Sequence, residues 1–502
     1  MPTQEKPVSL LSTAHLQADL RGRSLRGGFV TITSQGTQFV IQSISTVVLA
    51  RLLTPADFGL VAMVVAVTGL GQAFADLGLS EATIQTEDIN HNQVSILFWV
   101  NAGIGAALTI LTASLAPLLA WLYKEPRVKE ITFVVSLTFL ISGLRVQHEA
   151  ILRRQMRFSS LAIRDVVSLG LGVFVAITMG LRGAGYWALV ALPLTSNFSQ
   201  MVLSWLMVKW VPSRPRRDTR IRSMIAFGSN VAVSYLIFTI NRSADNLLVG
   251  WYWGAGPLGL YSRAYNLLML PVRQLSAPAS SIAIPAFSRI QNDPERFARY
   301  YLRAVNIILW ISAPIFGFLF VAAEPVIVLV LGAQWRQAAP VFQILAISAL
   351  VQLFLESTIW LFVSRGQSDQ LLKLLFIICP VIVSSFVIGL PFGIKGVALF
   401  GSSVLVIILP WILKFTFRGT NLTLQRVGQA LMYPILVSLV GVVFAELATH
   451  LMIPQGLFWQ LLFAALGFAA AYSLSLLITP VRKEIVSFGK LFSDFRLSNQ
   501  TV

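Results

Sequence analysis

The sequence is poor in charged residues. Only 12% of its 502 residues are Asp, Glu, Lys or Arg, whereas 56% are hydrophobic. A soluble domain carries roughly 25% charged residues, because it must cover its surface with them. With so few charges and a mean hydropathy of +0.75, this chain is expected to face lipid instead of water.

Cysteine and recognisable catalytic motifs are also scarce. The only cysteine, Cys379, lies in an apolar run and the four histidines are scattered, so the sequence predicts neither a disulfide nor a metal site. It contains no GxxxxGK[ST] phosphate loop, no HExxH and no GxSxG. We therefore predict no catalytic residues and no bound cofactor. Transport would be driven by H⁺, by Na⁺ or by the gradient of the substrate itself.

Acidic residues are outnumbered by basic ones, 21 against 38, which gives a formal net charge of +17. In a soluble chain this excess would suggest nucleic-acid binding. Here the basic residues lie between apolar stretches, where Lys and Arg hold loops in the cytoplasm. The sequence therefore predicts a membrane topology and no nucleic-acid partner.

Fourteen apolar stretches approach the length of about 20 residues that is needed to cross a hydrocarbon core about 30 Å thick. They lie at roughly 28–50, 56–77, 94–121, 131–150, 160–180, 185–207, 224–250, 258–286, 303–331, 338–363, 371–390, 395–415, 428–450 and 456–478. The predicted parts are a cytoplasmic N-terminal segment 1–27 without a cleavable signal peptide, an N-lobe 28–207, a basic cytoplasmic linker 208–223, a C-lobe 224–415, two further spans within 416–480, and a cytoplasmic tail 481–502.

The distribution of the basic residues supports this count. With both termini in the cytoplasm, 28 of the 38 fall on the inner side, seven on the outer side and three within spans. Such an excess is the positive-inside pattern of membrane proteins. Removing one early span would reverse the alternation downstream.

A weak internal repeat joins the two lobes. The motif LLTPADFGL ends at Leu60 and YWGAGPLGL ends at Leu260, an offset of 200 residues, with six predicted spans in each unit. An even number of spans repeats in the same orientation, which places the symmetry axis along the membrane normal. The predicted fold is an all-α membrane protein with two pseudo-symmetric six-helix lobes and two C-terminal helices.

Two predicted spans carry basic residues at membrane depth, where a charge costs several kcal/mol unless it faces water or a partner. In span seven, Arg242 and Asp245 are one turn apart beside Asn241, which indicates either a structural ion pair or the polar wall of a substrate cavity. In span eight, Arg273 lies near the middle, too deep to reach the interface easily. Arg263 lies nearer the outer end and either reaches the interface or lines the same cavity.

Pro271, Pro278 and Pro285 share the predicted helix of Arg273. Each proline removes a backbone hydrogen bond and allows a kink. A kinked helix with a central arginine is typical of a segment that lines a water-filled path. We therefore expect Arg273 to face a substrate cavity.

Span one has no charge but carries four polar residues at helical spacing, namely Gln35, Gln38, Gln42 and Ser45. They share one face and either bond neighbouring helices or line the same cavity. Candidates for coupling to an ion are the carboxylates Asp76, Asp245 and Glu356.

The stretches ARLLTPADFGLVAM (50–63), FADLGLSEATIQ (74–85), NRSADNLLVGWYWGAGPLGLYSRAYNLLMLPVRQL (241–275) and IPAFSRIQNDPERFARYY (284–301) share a specific combination of motifs. They resemble the bacterial polysaccharide transporter family, the Wzx-type flippases most like the colanic acid exporter group. That family belongs to the multidrug/oligosaccharidyl-lipid/polysaccharide (MOP) superfamily. The similarity covers about residues 25–420.

This resemblance implies two six-helix lobes around a cationic cavity that opens alternately to the two sides of the membrane. It implies movement of an undecaprenyl-pyrophosphate-linked oligosaccharide across the bacterial inner membrane, for exopolysaccharide or lipopolysaccharide biosynthesis, with a polymerase and export machinery as partners. Arginine suits pyrophosphate because its planar fork of donors matches phosphate oxygens. The residues expected to line the cavity are Arg242, Asp245, Arg263, Arg273, Asn241, Gln38 and Gln42.

Two alternatives remain open at this point. One is a lipid II or multidrug exporter of the same superfamily. The other is a membrane glycosyltransferase or polymerase, which would need a long outer loop or a carboxylate-rich domain. The predicted outer loops are all short, and this counts against an enzyme.

Overall fold

The computed structural model of the protein describes residues 11, 20–75, 78–86, 89–215, 243–451, 456–479 and 481–482. These residues form α-helices joined by short turns and by two 3-10 stretches, with no strand among them. The prediction of an all-α fold is confirmed.

The chain divides into two compact units, Met1–Gly259 and Leu260–Val502. The first contains α1 (Leu20–Leu52), α2 (Pro55–Ala75), α3 (Leu79–Gln85), α4 (His91–Tyr123), α5 (Arg127–Arg154), α6 (Phe158–Leu181), α7 (Tyr186–Val208), a helical stretch α8 over 243–253, and the start of α9 (Ala255–Ile290). The second contains the rest of α9, α10 (Pro294–Val321), α11 (Ala323–Leu331), α12 (Ala339–Ser364), α13 (Ser368–Gly389), α14 (Gly393–Thr416), α15 (Leu424–Leu451) and α16 (Leu457–Ser475). The predicted lobe boundaries stay a prediction.

Within the described part of the chain, ten helical segments are long and apolar enough to cross a membrane. Every predicted span except the seventh coincides with a described helix. Most of the seventh, predicted at 224–250, lies outside the described residues. The count of fourteen therefore stays a prediction.

The ninth span is corrected in two ways. It was predicted as one helix over 303–331, but α10 ends at Val321 and α11 begins at Ala323. The break follows from Pro325, which has no N–H to donate to the carbonyl of Val321 and whose ring would clash with it. The helix also starts nine residues early, at Pro294, because the Asp293 carboxylate caps it by accepting the Arg296 N–H at 3.0 Å.

Each unit contains a buried apolar cluster of its own. In the first unit, Leu97, Phe98 and Ile151 belong to an apolar cluster shared by α3, α4 and α5. In the second, Phe287 and Tyr301 belong to a cluster shared by α9, α10 and α12. Trp335 of the second unit is also fully buried.

The two copies of the Gly-Leu motif meet within the first unit. A methyl group on Gly59 would overlap the backbone of Ala255, and one on Gly259 would overlap the backbone of Pro55. Adding 200 to Gly59 and to Pro55 gives Gly259 and Ala255, so the offset of the repeat converts one contact into the other. Reciprocal contacts of this kind are what a two-fold rotation produces, so the contact supports the predicted repeat.

The turns after α5 and α12 also match, at an offset of 210 residues. Met156 and Gly366 both have positive φ, 52° and 67°. The N–H groups of Met156 and Gly366 each donate to the carbonyl three residues earlier. In each turn, the N–H of the following residue donates to the carbonyl five residues before it. Both helices therefore end in the same Schellman-type turn.

Candidate functional site

The arginines of α9 differ in their surroundings. Arg273 is exposed and makes no hydrogen bond or ion pair with the part of the chain that the structure describes. Arg263 is half-buried. Ten residues separate them, about 15 Å along the axis and about 80° around it. An exposed guanidinium on a membrane-spanning helix is suited to bind an anion, because its fork of N–H donors is available.

All three prolines lie inside α9, which continues unbroken from Ala255 to Ile290. The helix is 36 residues long, or about 54 Å, far more than the hydrocarbon core requires. Pro271, two residues before Arg273, lacks the N–H of a regular helix. The carbonyl of Leu267 therefore has no N–H partner within the helix. That α9 lines a water-filled path stays a prediction.

On α8, the predicted pair cannot be assessed as a whole. Asp245 is buried, and one of its carboxylate oxygens accepts the N–H of Asn246 at 2.7 Å. Asn241 and Arg242 lie outside the described residues. Their roles, and that of Asp245, stay predictions.

The polar residues of α1 divide between two environments. Ser45 is buried, whereas Gln35 and Gln42 are exposed. Gln38 is half-buried and donates to the hydroxyl of Ser34 at 3.0 Å. The exposed amides have the chemistry to bind sugar hydroxyls, and their role as cavity residues stays a prediction.

Among the predicted ion-coupling residues, Asp76 lies outside the described residues. Glu356 is half-buried on α12, next to Ser357, whose hydroxyl bonds that of Tyr301 at 3.0 Å. The coupling roles therefore stay predictions.

An ion network that was not predicted lies near the end of α5. Glu149 accepts hydrogen bonds from Arg153, the shorter at 2.7 Å, and its other oxygen lies 3.1 Å from Arg164 of α6. Arg164 also pairs with Asp165 at 2.7 Å, and its side chain is only 4% exposed. Arg145 lies 3.9 Å from Glu149. Ion pairs therefore join α5 to α6.

A neutral network continues from the same helix end. Gln147 donates to Asn101 at 2.9 Å and accepts from Thr83 at 2.7 Å, and all three residues are fully buried. His148 bonds the carbonyl of Trp210 at 3.1 Å. These contacts join α3 and α4 to α5, and they attach the segment that follows α7.

Arg154 completes this arrangement through carbonyl groups. Its guanidinium donates to Leu11 at 2.9 Å, to Thr83 at 3.0 Å and to Thr86 at 2.6 Å. An arginine buried in this way acts as a clamp for chain segments that are far apart in the sequence. The spacing of Arg145, Glu149 and Arg153 by four residues could have indicated ion pairs on one helix face. No local signal indicates Arg164 or Leu11.

A model of a protein family matches residues 48–340, and its description is "Polysaccharide biosynthesis protein". The teichuronic acid biosynthesis protein TuaB of Bacillus subtilis is 24% identical over 66% of this chain and 69% of its own length. The lipopolysaccharide biosynthesis protein WzxC of Escherichia coli is 23% identical, over 61% and 62%. The succinoglycan biosynthesis transport protein ExoT of Rhizobium meliloti is 24% identical, over 64% and 65%. The matches thus span about two thirds of these relatives.

Solved structures show the same fold. The lipid II flippase MurJ, in an inward closed conformation, superposes with a TM-score of 0.70 over 90% of this chain and 99% of its own, at 15% identity. A multidrug resistance MATE family transporter of the MOP superfamily reaches 0.59 over 76% and 95%, at 16% identity. The chain therefore has the fold of these two proteins. Since the family model covers more than half of the chain, the protein belongs to the polysaccharide biosynthesis protein family.

Proposed function

We propose that this protein is a flippase that moves an undecaprenyl-pyrophosphate-linked oligosaccharide across the bacterial inner membrane by alternating access. The oligosaccharide would be a repeat unit of an exopolysaccharide or lipopolysaccharide. The observation that carries the proposal is the exposed Arg273 on the membrane-spanning helix α9, within the region that matches the family.

The relatives support a role in polysaccharide biosynthesis. WzxC is named for lipopolysaccharide, and ExoT is named as a transport protein for succinoglycan. These names belong to those proteins, and we extend the class of substrate to this chain. A transporter also agrees with a sequence that has no catalytic motif.

Arg273 would bind the pyrophosphate. Phosphate oxygens accept two parallel hydrogen bonds from a guanidinium, which makes arginine better suited than lysine to this group. Gln38, Gln42 and Asn241 would bind sugar hydroxyls, and Arg242, Asp245 and Arg263 would complete the cavity. Coupling to H⁺ or Na⁺ would use Asp76, Asp245 or Glu356.

The location follows from the same proposal. Both termini would lie in the cytoplasm, so that the basic linker 208–223 and the tail 481–502 face the inner leaflet. The flipped substrate would pass to a polymerase and to export machinery on the outer side. Fusions of a reporter at Lys124 and Arg216 test this topology, since the two sites should report opposite sides of the membrane.

The proposal is tested with Arg273→Ala in proteoliposomes that contain a fluorescent undecaprenyl-pyrophosphate-linked oligosaccharide. We expect the flipping rate to fall by about 30- to 100-fold, because two charge-assisted hydrogen bonds are lost. Arg273→Lys should recover only part of the rate, since a point charge cannot form both bonds. Arg289→Ala is the matched control, because Arg289 is an exposed arginine in the last turn of the same helix.

Three results would contradict the proposal. A folded Arg273→Ala protein with the normal rate would exclude Arg273 from the site. A wild-type protein that translocates a lipid-linked disaccharide or a drug, but not the oligosaccharide, would favour the lipid II or multidrug exporter. Lost abundance with normal activity per molecule would assign Arg273 a structural role.

A further inference from the structure

An apolar groove runs between α1 and α6 in the first unit. It encloses about 360 Å³ and is lined by five residues of α1 between Phe29 and Thr37 and by four residues of α6 between Ala162 and Val167. The eight steps from Phe29 to Thr37 span about 12 Å, a little less than half of a 30 Å hydrocarbon core. With the N-terminus in the cytoplasm, the groove lies in the inner leaflet.

The hydroxyl groups in the groove do not make it polar. Thr33 donates to the carbonyl of Phe29 at 3.0 Å, and Thr37 donates to that of Thr33 at 3.0 Å. The hydroxyl of Ser34 accepts from Gln38 at 3.0 Å. Since these groups are satisfied along their own helix, the surface that remains is suited to a hydrocarbon chain.

The inner end of the groove is narrow and basic. Gly27 packs against the ring of Phe158, so the two helices touch just below Phe29. Arg26 directly precedes Gly27 and is exposed. Arg157 directly precedes Phe158 and is also exposed, and one of its guanidinium nitrogens donates to the carbonyl of Met207 at 3.1 Å. An apolar groove with arginines at its cytoplasmic mouth complements a hydrocarbon chain that ends in a phosphate group.

The other side of α1 carries the exposed amides. At 100° per residue, Gln35 and Gln42 point about 150° to 170° away from the middle of the groove residues. α1 thus separates an apolar face from a face suited to sugars.

We propose that the α1–α6 groove binds the isoprenoid chain of the polyprenyl-diphosphate substrate in the inner leaflet, with Arg26 and Arg157 next to the diphosphate. The inference rests on the proposed function for the identity of the lipid. It assigns to α1 the docking of the substrate before translocation.

The test uses a photoreactive residue, p-benzoylphenylalanine, at position 167 or 171 of α6. Val167 lines the groove and Leu171 does not, yet their exposed fractions are nearly equal, 43% and 45%. The full-length variants are placed in nanodiscs of phosphatidylethanolamine and phosphatidylglycerol that contain a small fraction of undecaprenyl diphosphate. We expect adducts with undecaprenyl diphosphate at position 167 to exceed those at 171 by about tenfold.

A variant that fills the groove provides a second test of the assignment. Ala162→Trp occupies the groove and should lower both adduct formation at position 167 and the flipping rate by about tenfold, because several buried CH₂ groups are displaced. Leu171→Trp, on the same helix outside the groove, should leave both unchanged. Arg26→Gln should lower adduct formation with undecaprenyl diphosphate more than with undecaprenol.

The outcomes separate this inference from the proposed function. Adducts with phospholipid only, or equal labelling at 167 and 171, would overturn the groove assignment while a normal flipping rate left the function standing. A wild-type protein that cross-links undecaprenyl diphosphate at 167 but does not flip the oligosaccharide would overturn the function alone. Normal adduct formation and flipping in Ala162→Trp would also refute the groove.

Discussion

The ends of α5 and α12 have the same backbone and different chemistry. Both finish in a turn with a residue of positive φ, Met156 in one and Gly366 in the other. At the end of α5, Glu149 is surrounded by arginines. At the end of α12, Arg365 donates only to carbonyl groups in its described contacts, those of Leu361, Thr416 and Arg418.

This difference shows that one turn geometry can be stabilised in two ways. The end of α5 is stabilised by ion pairs with the neighbouring helix α6. Arg154 adds hydrogen bonds to carbonyls that are distant in the sequence, such as that of Leu11. The α12 end relies on an apolar core, which includes Trp360 and Leu361, and on Arg365, which satisfies the carbonyl of Thr416, the last residue of α14. Repetition therefore fixes the path of the backbone and leaves the side chains free to diverge.

The largest expected effect comes from removing the charge of Glu149, the carboxylate at the centre of the ion network at the end of α5. Glu149→Gln should lower the free energy of unfolding by about 3 kcal/mol, because Arg145, Arg153 and Arg164 lose the carboxylate that they share, and the buried Arg164 keeps only Asp165 as an acidic partner. Thermal unfolding of the purified protein in detergent measures this. A loss below about 1 kcal/mol, as for an exposed pair, would show that the network contributes little to stability.

Removing Arg365 from the end of α12 should lower the free energy of unfolding somewhat less. Arg365→Met keeps the length of the side chain but removes three hydrogen bonds, and we expect a loss of about 2 kcal/mol. The same unfolding experiment provides the comparison with Glu149→Gln. If Arg365→Met were the more harmful of the two, the proposed contrast between the two ends would be reversed.

The shared backbone can be tested at its two positive-φ residues. Gly366→Ala should cost about 1 kcal/mol, since an alanine at that φ is strained although its methyl group would meet no atom within 4 Å. Met156→Gly should relieve such strain and gain less than about 1 kcal/mol. Unfolding curves that shift in the same direction for both variants would contradict the equivalence of the turns.

The smallest effect concerns the N-terminal end of α5, where the carboxylate of Glu125 pairs with Arg127. A hydrogen bond from Arg127 lowers the pKa of Glu125 below its usual value. A lowered pKa in the folded state stabilises the protein above the unfolded pKa, near 4.5, and this contribution is lost as the pH falls further. We expect well under 1 kcal/mol, because the Arg127 side chain is half exposed. Glu125→Gln should remove the pH dependence that arises from this pair, as a pH series of melting temperatures would show.

Much of the fold followed from local pattern, and much less of the site did. The apolar stretches predicted nearly every helix that the structure describes, because a span is encoded within its own 20 or so residues. The break at Ala322 was missed although Pro325 is a local signal. For the site, the sequence singled out Arg273, whose role stays a prediction, and it indicated no role for Arg154 or Arg164.

The sequence by itself determined the membrane-spanning character, the family and the repeat that brings Gly59 and Gly259 together, because hydropathy, motif and glycine position are properties of the residues themselves. Only the tertiary structure decided which polar groups pair. Arg154 bonds Leu11 across 143 positions, and Glu149 meets Arg164 only because α5 packs on α6. It also decided that α1 presents an apolar groove on one side and free amides on the other, since that division depends on where the neighbouring helix lies.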